Sequence, residues 1–153
     1  MQMTINNSLF KLTFPDGWKE TTVHTFEGPF DSGTQHNLVV SVLPGIPENV
    51  ELAAFAKLQT ETSAGMLPGF ELLSEKPVVF FDRTDGVEIY YRYRPADEME
   101  FHQKQWYFSI KDKVYLFTAT FNKKTVKTIA NEVEQIVRSL KTDVESMSDR
   151  DLR

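Results

Sequence analysis

The chain of 153 residues contains no cysteine, and this absence removes several kinds of chemistry at once. Without thiols there is no disulfide, no cysteine nucleophile and no thiolate metal site. Long apolar runs are lacking too, because no stretch approaches the roughly 18 residues that indicate a membrane-spanning helix. We therefore expect a domain that is stabilised by an ordinary hydrophobic core.

An excess of basic residues is also missing, since 17 Lys and Arg stand against 22 Asp and Glu, for a net charge of −5. A general nucleic-acid binder needs a basic surface that contacts the phosphate groups. Binding to an anionic membrane surface likewise relies on Lys and Arg. Both classes are therefore disfavoured. The first seven residues have neither the basic nor the apolar segment of a secretory signal, so we expect a cytoplasmic protein.

What the chain has in quantity is aromatic bulk, with 12 Phe, 5 Tyr and 2 Trp. Together with its length, this content fits one globular domain with a sizeable core. We expect that domain to cover residues 1–141. Residues 142–153 contain no aromatic side chain, and we expect them to form a flexible polar tail.

Alternating and helical apolar patterns predict the element order β-β-β-α-β-β-β-β-α. The first helix is predicted near 52–66, and the second has a continuous apolar stripe from Val126 to Leu140. A loop is expected at 28–33 and a hairpin turn at 83–86. Short turns between successive strands imply antiparallel pairing. The predicted class is therefore α+β, with both helices packed on one face of an antiparallel sheet.

Catalytic motifs are not evident: there is no nucleophile elbow, P-loop or dinucleotide fingerprint. His24, His36 and His102 are far apart in the sequence, whereas a metal site needs three or four converging ligands. The acidic segment Asp97–Glu100 could supply carboxylates for acid–base catalysis, although such segments are usually solvated. We expect no catalytic residue, metal or cofactor, and a small enzyme using this segment or a histidine stays open as an alternative.

Two predicted strands have a second side that mixes apolar and uncharged polar residues. These sides carry Gln103, Gln105, Tyr107 and Ser109 in one strand and Asn37, Val39, Ser41 and Leu43 in the other. A solvated face would normally carry more Lys and Glu, so a partner could cover this one. Alternatively, these residue types simply have acceptable strand propensity.

Gln59 lies in the middle of the apolar stripe of the first predicted helix. A buried amide without hydrogen-bond partners costs about 1–3 kcal/mol. Either Gln59 lies at the edge of the stripe and bonds local backbone, or its amide is available to a ligand.

Three short segments carry a family resemblance: Phe14-Pro15-Asp16-Gly17-Trp18, Asn37–Ser41 and Leu67-Pro68-Gly69-Phe70. In order and spacing they resemble the Eag family, which are cytoplasmic chaperones of type VI secretion effectors. That family has a PsbP-like fold, related to DcrB, with a curved antiparallel sheet. The resemblance covers residues 5–141.

The resemblance implies a function in secretion and no enzymatic activity. Family members bind the hydrophobic N-terminal transmembrane segments of PAAR-domain effectors and promote their loading onto the VgrG spike. They act as homodimers whose sheets form a hydrophobic groove. The alternative is a PsbP- or DcrB-like accessory domain with a different protein-binding role.

The resemblance also implies which residues line the groove. Val23 and Val39 match its aliphatic positions, and Gln59 and Gln105 match its two glutamines. Thr25 stands where an aliphatic residue is expected. The implied effector-binding groove comprises Val23, Thr25, Val39, Ser41, Gln59, Gln105 and Tyr107.

Overall fold

A computed structural model describes residues 3–6, 11–19, 23–47, 49–80 and 84–142. The strands are β1 (Met3–Asn6), β2 (Lys11–Phe14), β3 (Val23–Asp31), β4 (Thr34–Pro44), β5 (Glu71–Phe80), β6 (Thr84–Ala96), β7 (Met99–Ile110) and β8 (Lys113–Phe121). The helices are α1 (Leu52–Met66) and α2 (Ile129–Arg138), preceded by a 3₁₀ turn (Thr125–Lys127).

Six strands form one antiparallel sheet in the order β3-β4-β8-β7-β6-β5, and β1 pairs with β2 separately. The predicted α+β class, the antiparallel sheet and the two helices are confirmed. The sequence did not predict β1. Of the tail predicted over residues 142–153, only Thr142 lies within the described residues.

The structure corrects one feature of the predicted fold, because the two helices lie on opposite faces of the sheet. The pairing of Val87 with Tyr107 puts the apolar side of β6 on the same face as the mixed side of β7. Trp106 and Phe108 therefore point to the other face, as alternate residues of a strand do. Each face thus has its own apolar area, and each area is covered by one helix.

Two hydrophobic cores result from this arrangement. The core beneath α1 contains Ala56, Val87, Ile89, Tyr91, Tyr107 and Val114. The core beneath α2 contains Leu38, Phe80, Trp106, Phe108, Phe117, Ala119, Phe121, Ala130, Val133 and Val137.

Two predicted connections are parts of strands. The loop expected at 28–33 lies mostly in β3, which continues to Asp31 through a register shift between Glu27 and Phe30. Only Ser32 and Gly33, both with positive φ, form the turn into β4. Of the hairpin turn expected at 83–86, residues 84–86 belong to β6, which begins at Thr84, and Arg83 lies outside the described residues.

The second predicted helix is interrupted at Thr128, between the 3₁₀ turn and α2. The Asn122 side chain accepts hydrogen bonds from the backbone N–H groups of Lys124 (2.9 Å) and Thr125 (2.8 Å). The Thr125 hydroxyl also bonds Nε2 of buried His36 at 2.7 Å. These contacts hold residues 122–125 in a turn, so the regular helix begins after them.

Gly86 allows the closest packing in the α2 core. A Cβ atom at this position would overlap the Phe108 ring and lie 2.8 Å from the Tyr107 carbonyl oxygen. We expect Gly86→Ala to lower the free energy of unfolding by about 1–3 kcal/mol, as overpacked cores do. Urea denaturation measures this change.

Gly65 provides the matched control, because it lies in α1 and, apart from the backbone of its own helix and its chain neighbours, no heavy atom is within 4 Å of the place that an alanine methyl group would occupy. Gly65→Ala should leave stability unchanged or raise it by up to about 1 kcal/mol, since alanine is the better helix former. A Gly86→Ala protein as stable as the wild type would contradict the packing argument.

Candidate functional site

The sheet face beneath α1 extends beyond the helix onto β8, β4 and β3. α1 packs over β6 and β7, where the Phe55 and Tyr107 rings contact each other with centroids 6.3 Å apart. We call the continuation of this face the open face. It consists of the side chains of Leu116, Thr118, Thr120, Asn37, Val39, Ser41, Val23, Thr25 and Glu27.

Two rows of cross-strand neighbours connect this open face with the part that α1 covers. The first row runs through Thr25, Val39, Thr118 and Gln105, and the second through Val23, Ser41, Leu116 and Tyr107. Neighbouring strands are about 4.7–4.9 Å apart, so side chains adjacent in a row are in reach of one another. Six of the seven residues implied by the resemblance thus lie on one face in two adjacent rows.

Burial changes steadily along these rows. Gln105 is 9% exposed and Tyr107 is fully buried under α1, whereas Val39 and Ser41 are half-buried. At the sheet edge, Val23 is 52% exposed. The candidate site therefore has a covered inner end and an accessible outer end.

The Gln105 amide is held by its neighbours at the inner end. Its Nε2 donates to Thr118 Oγ1 at 3.3 Å, and its Oε1 accepts from the Tyr107 hydroxyl at 3.1 Å. An amide offers two N–H donors and two lone pairs, so one of each is left after these contacts. Gln105 can therefore bond a ligand only through its remaining N–H group and its remaining lone pair.

A second polar chain runs beside the first. Gln103 donates to Thr120 Oγ1 at 2.8 Å and accepts from the Tyr91 hydroxyl. Burial raises the pKa of Tyr91 to about 12, and burial together with Tyr91 raises the pKa of Tyr107. Both hydroxyls are therefore neutral at physiological pH and act as fixed hydrogen-bond donors.

Gln59 is half-buried on the sheet-facing side of α1, between buried Ala56 and buried Thr60. It is one helical turn beyond Phe55, which contacts Tyr107. The structure thus places Gln59 on the helix that borders the open face. Its contact with a partner stays a prediction.

Sequence reasoning missed two residues that belong to these rows, Leu116 and Thr118, both on β8. The short turn at Lys111–Asp112 holds β7 and β8 in register from Ile110 opposite Lys113. A two-residue hairpin loop determines the register of its strands. Counting back from that turn would have paired Gln105 with Thr118.

Comparison with known proteins identifies the family of this chain. The family model of DcrB matches residues 11–139. The chain belongs to the DcrB family. The expected relation to DcrB is confirmed, whereas the more specific resemblance to Eag chaperones stays a prediction. No curated protein matches the sequence.

Two solved structures share the fold of this DcrB-family chain. One is a Pseudomonas aeruginosa protein of unknown function, PA94, described as a putative regulator. Its sequence is 17% identical to this one, the TM-score is 0.72, and the match covers 92% of this chain and 96% of that chain. The other is cyanobacterial PsbP (CyanoP) from Synechocystis sp. PCC 6803, with 14% identity, a TM-score of 0.55 and 90% coverage of each chain. The expected PsbP-like fold is confirmed.

Two of the residues considered as catalytic candidates, His102 and Glu100, contact each other. His102 Nε2 donates to Glu100 at 3.0 Å, and its Nδ1 bonds the Tyr90 hydroxyl at 2.6 Å. Asp97 and Glu98 form the exposed turn between β6 and β7. Across the described ranges, no three His, Asp or Glu side chains converge as metal ligands.

No helix in the described ranges is both long and apolar enough to cross a membrane.

The contacts of Glu100 make the stability of this DcrB-family fold depend on pH. The hydrogen bond from His102 contributes most to lowering the pKa of Glu100; partial burial raises it, and the charges of Arg94 and Arg92 lower it further. A carboxyl whose folded-state pKa is lowered stabilises the fold above its ordinary value of 4.5. That stability is lost as the pH falls through the lowered value.

We therefore expect Glu100→Gln to be less stable than the wild type at pH 7, with the difference shrinking below about pH 4.5. Thermal unfolding, monitored by circular dichroism from pH 7 to pH 3, measures the stability difference at pH 7 and its decrease at low pH. Asp97→Asn, in the exposed turn, is the matched control and should follow the wild type. Parallel pH profiles for Glu100→Gln and the wild type would contradict this role of Glu100.

Proposed function

We propose that this DcrB-family chain is a cytoplasmic, non-enzymatic chaperone that binds and shields the hydrophobic N-terminal transmembrane segments of a type VI secretion effector. In this role it promotes loading of a PAAR-domain effector onto the VgrG spike. The observation that carries the proposal is the open face, whose two rows combine aliphatic side chains with hydroxyl and amide groups. Glu27 is the one charged residue among its nine members.

An apolar partner helix suits this face on energetic grounds. A transmembrane helix in water exposes apolar surface, and burying that surface contributes about 25 cal/mol per Å². Val23, Val39 and Leu116 supply aliphatic contacts for it. An ionised side chain in the same place would have to lose its hydration, which is costly against an apolar partner.

The hydroxyl and amide groups suit the polar positions of such a helix. Transmembrane helices often carry Ser and Thr, which seek hydrogen-bond partners. Thr25, Ser41 and Thr118 offer hydroxyls, and Gln105 retains one N–H and one lone pair. These groups are uncharged, so they can bond a partner without exposing an ion to its apolar surface.

Introducing a charge in the middle of the open face tests the proposal. We expect Val39→Asp to reduce co-purification of the effector's N-terminal segment by about tenfold or more, since the carboxylate would be buried against an apolar helix. The measurement is co-expression with the N-terminal segment of a PAAR-domain effector from the same genome, followed by affinity capture.

Val42→Asp is the matched control for this experiment. Val42 lies on the same strand three residues further along, faces the opposite side of the sheet and is exposed. Its variant should capture the segment as the wild type does. Equal capture by Val39→Asp and the wild type would reject the open face as the binding site.

A homodimer is part of the proposal, and we assign its interface to β3. β3 is an edge strand, and its Phe30 is 70% exposed. An edge strand presents unpaired N–H and C=O groups that can pair with another chain. A second copy on β3 would extend the open face at its accessible end.

We expect Phe30→Lys to change the protein from dimer to monomer, because a lysine on an edge strand opposes pairing. Light scattering coupled to size exclusion measures the mass. Val79→Lys, which changes an exposed residue on the other edge strand β5, should remain dimeric. A monomeric wild type would refute the dimer, and a dimeric Phe30→Lys would refute its assignment to β3.

The second candidate is a DcrB-like accessory domain with a different protein-binding role. The family match over residues 11–139 favours it, since that match is to DcrB. Gene neighbourhood distinguishes the two candidates. An adjacent gene for a PAAR-domain effector with transmembrane helices favours the chaperone, and its absence favours the accessory domain.

A further inference from the structure

A cavity of about 570 Å³ lies on the face opposite the open face, between α2 and the outer strands β3 and β4. The side chains that define it are Phe26, Leu38, Val40, Phe117, Val133 and Ile136. α2 packs mainly on β8 and does not extend over the sheet edge. Phe26 and Ile136 therefore stay 57% and 50% exposed at its mouth.

The lining restricts the polarity of a ligand. Among the described residues, the carboxylate of Glu132 borders the cavity and no lysine or arginine does. His36 also borders it, but both ring nitrogens already bond Thr125 and the Pro29 carbonyl. An anionic ligand would find no cationic side chain here, and a strongly polar one would find few partners.

The size of the cavity restricts the shape of a ligand. Its volume falls within the range of about 300–1,000 Å³ that is usual for small-molecule sites. α2 has ten residues and is therefore about 15 Å long. An elongated, slender molecule of about this length can therefore lie along the helix.

We propose that this cavity binds a single-chain amphiphile with an uncharged head group, of the monoacylglycerol type. The acyl chain lies along α2 against Phe26, Val133 and Ile136, and the head group is at the mouth. This site is separate from the open face, because Leu38 and Val40 point away from the side to which Val39 and Ser41 point. The proposal is independent of the proposed function.

Displacement of a fluorescent probe tests the proposal with the wild-type chain. The neutral probe N-phenyl-1-naphthylamine should bind saturably, and monoacylglycerols of 8, 10 and 12 carbons should displace it below their aggregation concentrations. Each added methylene should raise affinity about two- to fourfold while it is still buried. Absence of saturable binding, or affinity independent of chain length, would overturn the proposal.

Two variants locate the ligand. Ile136→Trp fills the cavity mouth and should weaken monoacylglycerol binding about tenfold or more. Gln135→Trp, at an exposed neighbouring position outside the lining, is the matched control and should bind as the wild type does. Val39→Asp, on the open face, should also leave probe binding unchanged. Equal binding by Ile136→Trp and the wild type would place the ligand elsewhere and overturn the assignment.

The head-group assignment has its own test at exposed Glu132. Dodecanoate should bind the wild type at least about tenfold more weakly than the 12-carbon monoacylglycerol, and Glu132→Lys should reduce that difference. If Ile136→Trp fails to fold, Glu132→Lys tests the location of the ligand instead, because Glu132 borders the same cavity. Equal affinity for both lipids in the wild type would overturn the uncharged head group. Displacement of the probe by an effector's transmembrane peptide alone would show a peptide groove and overturn the lipid assignment.

Discussion

The buried contact of Glu88 with Trp106 governs the pairing of β6 with β7, on which the rest of the fold depends. Glu88 is 3% exposed, accepts a hydrogen bond from Trp106 Nε1 at 2.9 Å, and forms an ion pair with Lys76 at 3.2 Å. A one-residue slip between β6 and β7 would separate this buried carboxylate from Trp106, and a buried hydrogen-bonding group that loses its partner destabilises the fold. The same slip would turn every apolar side chain of β6 to the other face.

Because that register is held, the two faces of the sheet have different characters. On one face, α1 covers the inner end of the rows that contain Tyr107 and Gln105, and their outer ends at Val23 and Thr25 are accessible. On the other face, α2 leaves a cavity at the sheet edge. Successive residues of β4 alternate between an uncharged polar surface and an apolar pocket, so the two sides of this strand belong to two separate surface features.

The candidate site was predictable where its residues pair locally. Val23 pairs with Ser41 and Thr25 with Val39 across one hairpin, and the turn at Lys111–Asp112 brings β8 beside β7. The adjacency of β8 to β4 was not predictable in this way, because these two strands are far apart in sequence. Their adjacency depends on which strands become neighbours in the sheet, and no local pattern expresses that choice.

The sequence by itself determined the α+β class, the strands β2 to β8 and the location of α1, since these follow from local periodicity. Only the tertiary structure decided that the helices take opposite faces, because that depends on the register between β6 and β7. It likewise decided the interruption at Thr128, where Asn122 and His36 bond Thr125. Periodicity records which residues share a side of one element, and pairing between elements determines which of those sides meet.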